Sequence, residues 1–395
     1  MKDRISELAK SVEAEVISHR NHLHKYPEIG FEEKETSAYI CAVLDKYDVP
    51  YSTVEGCYSV VARLKGQKPG KTIALRADID ALPIQEENDV PYRSNNAGVM
   101  HACGHDGHTA CLLGLAKIFS ENPDLIEGEV VFIFQHAEEN PPGGAIVLVK
   151  SGLMEDVDVI FGAHLWARSD TGIIHYNKNA LMASMDRFDI TLRGIGGHGA
   201  SPHETTDSLL AGTMLVQQLQ SIISREVHAT IPAVLSVCYI NSGTTFNIIP
   251  DYCNLGGTVR TCDEDTRTLI KNRIREIAKG TAATYNLTCE LNYEDGYPVL
   301  ICHADTVEKA VDGISKLTQH QLLELSPVMG GEDFAYYTIE KPGAFFFVGC
   351  RNEEKGIVYP HHNSRFNIDE RALGIMVETL LAAYLTESSN SNGQR

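Results

Sequence analysis

Met100-His101-Ala102-Cys103-Gly104-His105-Asp106-Gly107-His108-Thr109-Ala110 is the stretch on which the reading of this chain turns. It gathers a thiol, three imidazoles and a carboxylate into a short run broken by two glycines. Cys103 and His105 are one residue apart, so on an extended or turning backbone their side chains point the same way. Gly104 and Gly107 let the backbone bend closely around whatever those side chains hold. From His108 onward, Thr109-Ala110-Cys111-Leu112-Leu113-Gly114-Leu115-Ala116 reads as the first turns of a buried helix. A soft thiolate beside an imidazole at the mouth of a helix suits a transition-metal ion. The plainer alternative is a small buried Cys with a capping His.

Working outward, Thr72–Arg76 is a compact apolar strand running into Ala77-Asp78-Ile79-Asp80-Ala81-Leu82-Pro83. In open α/β sheets function gathers at the carboxyl ends of strands, where Asp78 and Asp80 stand; capping a loop is the ordinary role for such an Asp. Glu129–Gln135 is a near-continuous apolar strand of the buried parallel kind, ending in His136-Ala137-Glu138-Glu139-Asn140. Adjacent carboxylates point in different directions, so one can bind metal while the other handles protons. A solvated acidic turn is the bland reading. Val157–Ala163 is a third buried strand, followed at once by His164. Three strand ends that each carry metal or proton chemistry point to one shared centre.

The remaining chain frames that centre. Residues 1–45 read as two helices broken at Lys25-Tyr26-Pro27-Glu28-Ile29-Gly30, with Ile5, Leu8, Val12, Val16 and Leu23 at helical spacing. His19, His22 and His24 read as surface histidines and not as ligands. Tyr51–Lys65 alternates like short strands. From Asp186 to about Tyr297 the order is strand, helix near Asp207–Arg225, strands near Ala233–Asn241 and Asp251–Arg260, helix over Glu264–Tyr285, and strand near Thr288–Tyr293. This β-α-β-β-α-β order matches a ferredoxin-like unit. The expected domains are therefore 185–297 as an insertion into a discontinuous 1–184 and 298–395. Phe345–Gly349 reads as another buried strand, Glu370–Leu385 as a helix, and Ser388–Arg395 as a disordered polar tail.

A length of 395 residues favours two or three domains. A composition 43% hydrophobic and 22% charged is that of an ordinary globular protein. The net charge of -19 argues against a nucleic-acid or anionic-membrane surface. No apolar run follows the charged N-terminus or reaches bilayer-spanning length, so a cytoplasmic protein is expected. The ten cysteines include no CxxC pair and read as free thiols, with Cys103 set apart by its neighbours.

These stretches, taken in order, resemble the aminoacylase/carboxypeptidase metallopeptidases that include hippurate hydrolase, N-acyl-amino-acid deacylases and the plant auxin-conjugate hydrolases. The resemblance rests on His24-Lys25-Tyr26-Pro27-Glu28-Ile29-Gly30-Phe31-Glu32-Glu33, Leu75–Pro83, Met100–Ala110, Gln135–Glu139 and Gly162-Ala163-His164. It continues through Gly196-Gly197-His198-Gly199-Ala200, Asn247–Asp251, Gly257–Arg260, Met329–Phe334 and His362-Asn363-Ser364-Arg365-Phe366. It implies an α/β, zinc-peptidase-like catalytic domain with a central mixed sheet flanked by helices, plus the inserted ferredoxin-like lid or dimerisation domain. It implies a dinuclear site with Cys103, His105, Glu139, His164 and His362 as ligands; His362 is chosen over His361 because it lies four residues before Phe366. Glu138 stands at the family's general base and Asp78 at its metal-supporting aspartate. His198, Asn247 and Arg260 stand at substrate-binding positions, the first two reaching a partner subunit's site in a homodimer.

On this reading two divalent ions, zinc or manganese with nickel and cobalt as alternatives, serve a deacylase releasing amino acids from N-acyl conjugates. Glu138 takes the proton of water and gives it to the leaving amine. Asp78 accepts a hydrogen bond from a ligand imidazole, His198 donates to the oxyanion, and Arg260 clamps the substrate carboxylate. Three rivals stand beside it. They are a dipeptidase or carboxypeptidase of the same family, a Cys–His hydrolase using Cys103 as nucleophile, and a non-catalytic zinc scaffold, which would have no use for Glu138.

Overall fold

The computed structural model describes residues 2–389. They divide into two compact units, one from residues 2–181, 301–326 and 333–389 and the other from 182–300 and 327–332. The short segment 327–332 falls outside the expected 185–297 insertion. It joins the second unit because Ala183 N–H donates to the carbonyls of both Val328 and Gly330 at 3.0 Å.

The first unit is built on an eight-stranded mixed sheet. Its order is Tyr51–Thr53, Val60–Lys65, Glu127–Gln135, Lys68–Asp78, Val159–Asp170, Gly343–Arg351, Ile173–Tyr176 and Gln321–Glu324. Lys68–Asp78 is parallel to both neighbours, and Gly343–Arg351 is parallel to Val159–Asp170. Val130–Gln135 and Gly343–Cys350 are buried without interruption, the pattern of strands covered on both faces. The helices Lys2–Lys25, His105–Glu121 and Arg371–Ser389 pack on one another, and the last two also lie on the sheet.

Several expectations are corrected here. Val159–Asp170 does not stop before His164; parallel pairing with Gly343–Arg351, in which Phe347 faces His164, carries the strand on to Asp170. His19 and His24 are not surface residues. The helix Lys2–Lys25 packs against both His105–Glu121 and Arg371–Ser389, so its buried face is wide enough to take both rings in, at 8% and 1% exposure. The last helix runs to Ser389, which places Ser388 and Ser389 in a helix and not in a tail; residues 390–395 lie outside the described residues. No helix among the described residues is long and apolar enough to cross a membrane.

In the second unit the strands Ala233–Asn241, Tyr252–Thr261, Asp186–Arg193 and Thr288–Asp295 form an antiparallel sheet in that order. Phe188, Ile190 and Leu192 on one face make a core with Leu215 and Leu219 of helix Ser208–Ser221 and with Ile270 and Ile274 of helix Glu264–Thr284. Period-two burial along Asp186–Arg193 leaves the opposite face more open.

Candidate active site

Four segments of the first unit converge: the Cys103–His105 turn, the Glu138–Glu139 turn after Glu127–Gln135, the stretch of Val159–Asp170 at His164, and the turn at His362. Helix His105–Glu121 begins after Gly104, whose φ of 97° is left-handed and suits glycine. At Gly107 a Cβ would lie 2.5 Å from Leu165 Cδ1 and 3.1 Å from Leu373 Cδ2, so a larger residue would have to push these two side chains aside where the helix meets the strand carrying His164. Cys103 Sγ lies 3.4 Å from His164 Nε2, and Cys103, His105 and His164 have donor atoms within 4.8 Å of one another. A second group meeting the same limit is Cys103, Glu139 and His362, and a third is His105, Glu138 and Glu139. Cys103 is common to the first two.

His362 Nε2 approaches Glu139 Oε1 to 3.2 Å. His361 Nε2 instead accepts a hydrogen bond from Ala167 N–H at 3.0 Å, which occupies its lone pair. His362 sits at a φ of 63° and its N–H donates to Ala102 O at 2.8 Å, tying this turn to the Cys103 loop.

The layer behind the donors is carboxylate-rich. Asp80 is 1% exposed; its Oδ1 and its backbone carbonyl both accept from His105 Nδ1, at 3.1 and 3.0 Å. Its Oδ2 accepts from Glu139 N–H at 2.9 Å. One aspartate thus orients an imidazole and a carboxylate of the cluster. Asp78 departs from expectation: the imidazole donating to it is His108, at 2.6 Å, and not one of the five proposed ligands. His108 Nε2 accepts from Leu165 N–H at 2.9 Å, so His108 is a neutral spacer with a fixed tautomer. Arg76 Nη1 donates to Asp78 at 2.7 Å and Nη2 to Asp333 at 2.7 Å.

Sequence reading missed the roles of Asp80, His108 and Arg76. The Asp-x-Asp spacing, which puts Asp78 and Asp80 on the same side of an extended segment, was the available signal.

The donor chemistry fits cations. Among the described residues His105 Nε2 is buried without a hydrogen-bond partner, and it lies 3.7–3.9 Å from carboxylate oxygens of Asp78, Glu138 and Glu139. Burial, with Glu139, Glu138 and Asp78 close by, holds the Cys103 thiol well above its ordinary value. A divalent ion reverses that logic and ionises a coordinating thiol. Burial and the neighbouring imidazoles of His108 and His361 hold His164 well below its usual value, so it presents a neutral lone pair.

His198, Asn247 and Arg260 belong to the second unit. His198 faces Ile248 in a two-stranded ladder, and Gly199 N–H donates to Asn247 O at 2.8 Å. His198 and Asn247 are exposed. Arg260 donates to Thr258 Oγ1 at 2.6 Å and to Val259 O at 3.2 Å.

The model of peptidase family M20/M25/M40 matches residues 74–385. The chain belongs to this family. The M20 chain is 44% identical over 374 residues to the putative amidohydrolase YhaA of Bacillus subtilis (strain 168), covering 94% of each. It is 45% identical over 300 residues to the N-acyl-L-amino acid amidohydrolase of Geobacillus stearothermophilus, covering 76% of this chain and 81% of that one. It is 39% identical over 385 residues to thermostable carboxypeptidase 2 of Saccharolobus solfataricus, covering 96% and 98%. Among solved structures, the YXEP protein of Bacillus subtilis, a dinuclear metal binding peptidase from the M20 family, superposes with a TM-score of 0.84. It shares 32% identity with this chain, over 95% of this chain and 98% of that one. The M20 chain is an enzyme, a metal-dependent hydrolase acting on amides.

Proposed function

We propose that this M20 hydrolase cleaves the amide bond of N-acyl amino acids, with N-acetyl or aromatic acyl groups, to a carboxylate and a free amino acid. The observation carrying the proposal is the His105–Glu138–Glu139 cluster, which sets a second carboxylate beside the proposed ligands: Glu138 is 6% exposed and its Oε2 lies 3.9 Å from His105 Nε2. Cys103, His105, Glu139, His164 and His362 would hold two divalent ions, zinc or manganese, with nickel and cobalt as alternatives; the thiolate disfavours magnesium and calcium. When bound, such a pair lowers the pKa of water and polarises the acyl oxygen.

Glu138 takes the proton of the attacking water and returns it to the leaving nitrogen. Asp80 fixes the His105 tautomer so that Nε2 faces the cluster, and Asp78 holds His108 and Arg76 behind it. The charged ligands are Cys103 and Glu139, so two divalent ions leave a net positive site suited to an oxyanion. His198 serves as oxyanion donor, Asn247 as a substrate contact and Arg260 as the carboxylate clamp.

The second unit is read as a ferredoxin-like lid and dimerisation domain, in agreement with its strand order. Among the described residues its edge strand Ala233–Asn241 has a neighbour on one side only, and Phe246 is 99%, Ile195 63% and Ile248 58% exposed. We take the enzyme to be a cytoplasmic homodimer.

The test is a panel of N-acetyl and N-benzoyl amino acids against unblocked dipeptides, run after chelation and again after adding back zinc or manganese. Turnover of the blocked substrates that disappears on chelation and returns with metal is expected. Preference for unblocked dipeptides would favour a carboxypeptidase-like activity, the alternative raised by the Saccharolobus relative. Full activity in metal-free protein would overturn the site.

A further inference from the structure

The motif His24–Glu33 has so far been given no task, yet its last residue reaches the turn that bears Glu138. Glu33 is fully buried and its Oε1 accepts the backbone N–H of Ala137 at 2.7 Å. Ala137 is also fully buried, at a φ of 51°. A left-handed backbone is costly for a Cβ-bearing residue, and such a conformation persists only where the surroundings over-determine it.

Here both sides of the residue are held. Glu33 takes the N–H, and Gly144 N–H donates to Ala137 O at 3.1 Å. The loop before Glu33 is pressed on the same turn. Ala81 N–H donates to Glu28 O at 2.8 Å, and a Cβ on Gly30 would lie 3.3 Å from Ala137 Cα and from Asp80 Oδ2. Among the described residues Glu33 Oε2 has no hydrogen-bond partner, and burial, reinforced by the Asp80 charge, pushes its carboxyl up to about 7. A buried carboxyl kept in this state and bonded to a strained backbone amide is an expensive way merely to fill space.

We infer that Glu33 is a positioning residue for the catalytic step: by accepting the Ala137 N–H it fixes the left-handed turn that sends Glu138 and Glu139 in different directions. The inference rests on the reading of Glu138 as the base.

The variants are Glu33→Ala, Glu33→Gln and, as control, Glu138→Gln, each in the full chain with metal restored. Glu33→Gln keeps an acceptor oxygen and is expected to hold kcat within threefold of the parent. Glu33→Ala is expected to lower kcat 10- to 100-fold, with KM within threefold and metal content unchanged. In the metal-free protein, hydrogen exchange of the 136–140 segment is expected to accelerate at least tenfold in Glu33→Ala and not in Glu33→Gln. Should Glu33→Ala fail to fold, Glu33→Asp, which withdraws the acceptor by one methylene, is read in its place against the same outcomes. A kcat for Glu33→Ala within threefold of the parent overturns the inference. So does a Glu33→Gln as impaired as Glu33→Ala, or a loss of activity that follows loss of metal. If Glu138→Gln itself keeps parental kcat, the assignment of the base fails, whatever Glu33 does.

Discussion

The Ala137–Glu139 turn and the His198–Ile248 ladder both carry proposed site residues, and they are built in opposite ways. At the first, Ala137 and Glu33 are fully buried, and Asp80 holds Glu139 N–H and His105 Nδ1 at once. At the second, His198 and Asn247 stand exposed on a two-stranded ladder beside Phe246, which is 99% exposed. Proton transfer and metal ligation need donors fixed to within about half an ångström in a desolvated site, and only a supporting layer of buried side chains provides that. Recognition tolerates a ladder whose side chains can still adjust. The difference teaches that substitutions in the first region should damage chemistry or metal binding, and those in the second should leave the metal alone.

The sharpest break in that comparison would come from Glu138→Gln. General-base catalysis is worth about 10²- to 10⁴-fold, so kcat is expected to fall by that factor with metal content unchanged by elemental analysis. A variant that loses its metal instead would make Glu138 a ligand. Next in size is His198→Ala. As an oxyanion donor its removal costs about 10²- to 10³-fold in kcat, while metal affinity in a competition titration stays at the parental value. Loss of metal affinity in His198→Ala would erase the division between the two regions.

Much of this organisation was legible in the sequence, for physical reasons that differ by element. Asp186–Arg193 and Ala233–Asn241 were readable because alternating burial prints a period of two directly. The gathering of Cys103, His105, Glu138, Glu139, His164 and His362 was readable because thiols, imidazoles and paired carboxylates have few other reasons to recur beside buried strands. The supporting layer was not. Asp78 and Asp80 look alike in sequence, and which of them meets His105 depends on how residues 78–80 leave the strand. His24 reads as a surface residue because periodicity counts apolar side chains, yet its ring is buried against Asp106 at 2.7 Å and Glu86 at 3.2 Å. The extension of Val159–Asp170 beyond His164 comes from pairing with a strand nearly two hundred residues away, which no local pattern contains.

A smaller effect separates the carboxyl behind the turn from the rest of the acidic chain. Glu33 is pushed up to about 7 from its ordinary 4.5, chiefly by burial and then by Asp80. Between those two pH values the folded metal-free protein keeps a proton that the unfolded chain has released, so this group's contribution to stability falls as pH rises through the window. The full shift corresponds to at most about 3 kcal/mol. Urea unfolding at pH 5 and pH 8 should therefore show a loss on going to pH 8 that Glu33→Gln removes. A loss that persists in Glu33→Gln would assign it to other buried groups.

The smallest change expected is the most discriminating for the supporting layer. Asp80 uses one carboxylate oxygen for His105 Nδ1–H and the other for Glu139 N–H. Asn at this position has one acceptor and one donor, so Asp80→Asn can serve only one of the two. Either Glu139 N–H loses its acceptor, or the amide NH₂ meets His105 Nδ1 and favours the tautomer protonated on Nε2, the nitrogen that faces the cluster. The backbone carbonyl of Asp80, 3.0 Å from the same Nδ1, still holds the original tautomer, which limits the damage. Outer-shell substitutions cost about 10- to 100-fold in metal affinity, and this residual bond puts Asp80→Asn near the lower end, about tenfold or roughly 1.4 kcal/mol. Asp78→Asn should fall short even of that, because Asp78 bonds His108 and Arg76 and none of the proposed ligands. Metal titration of the two variants side by side decides which aspartate supports the centre, and a larger loss for Asp78→Asn would return that role to the residue the sequence first suggested.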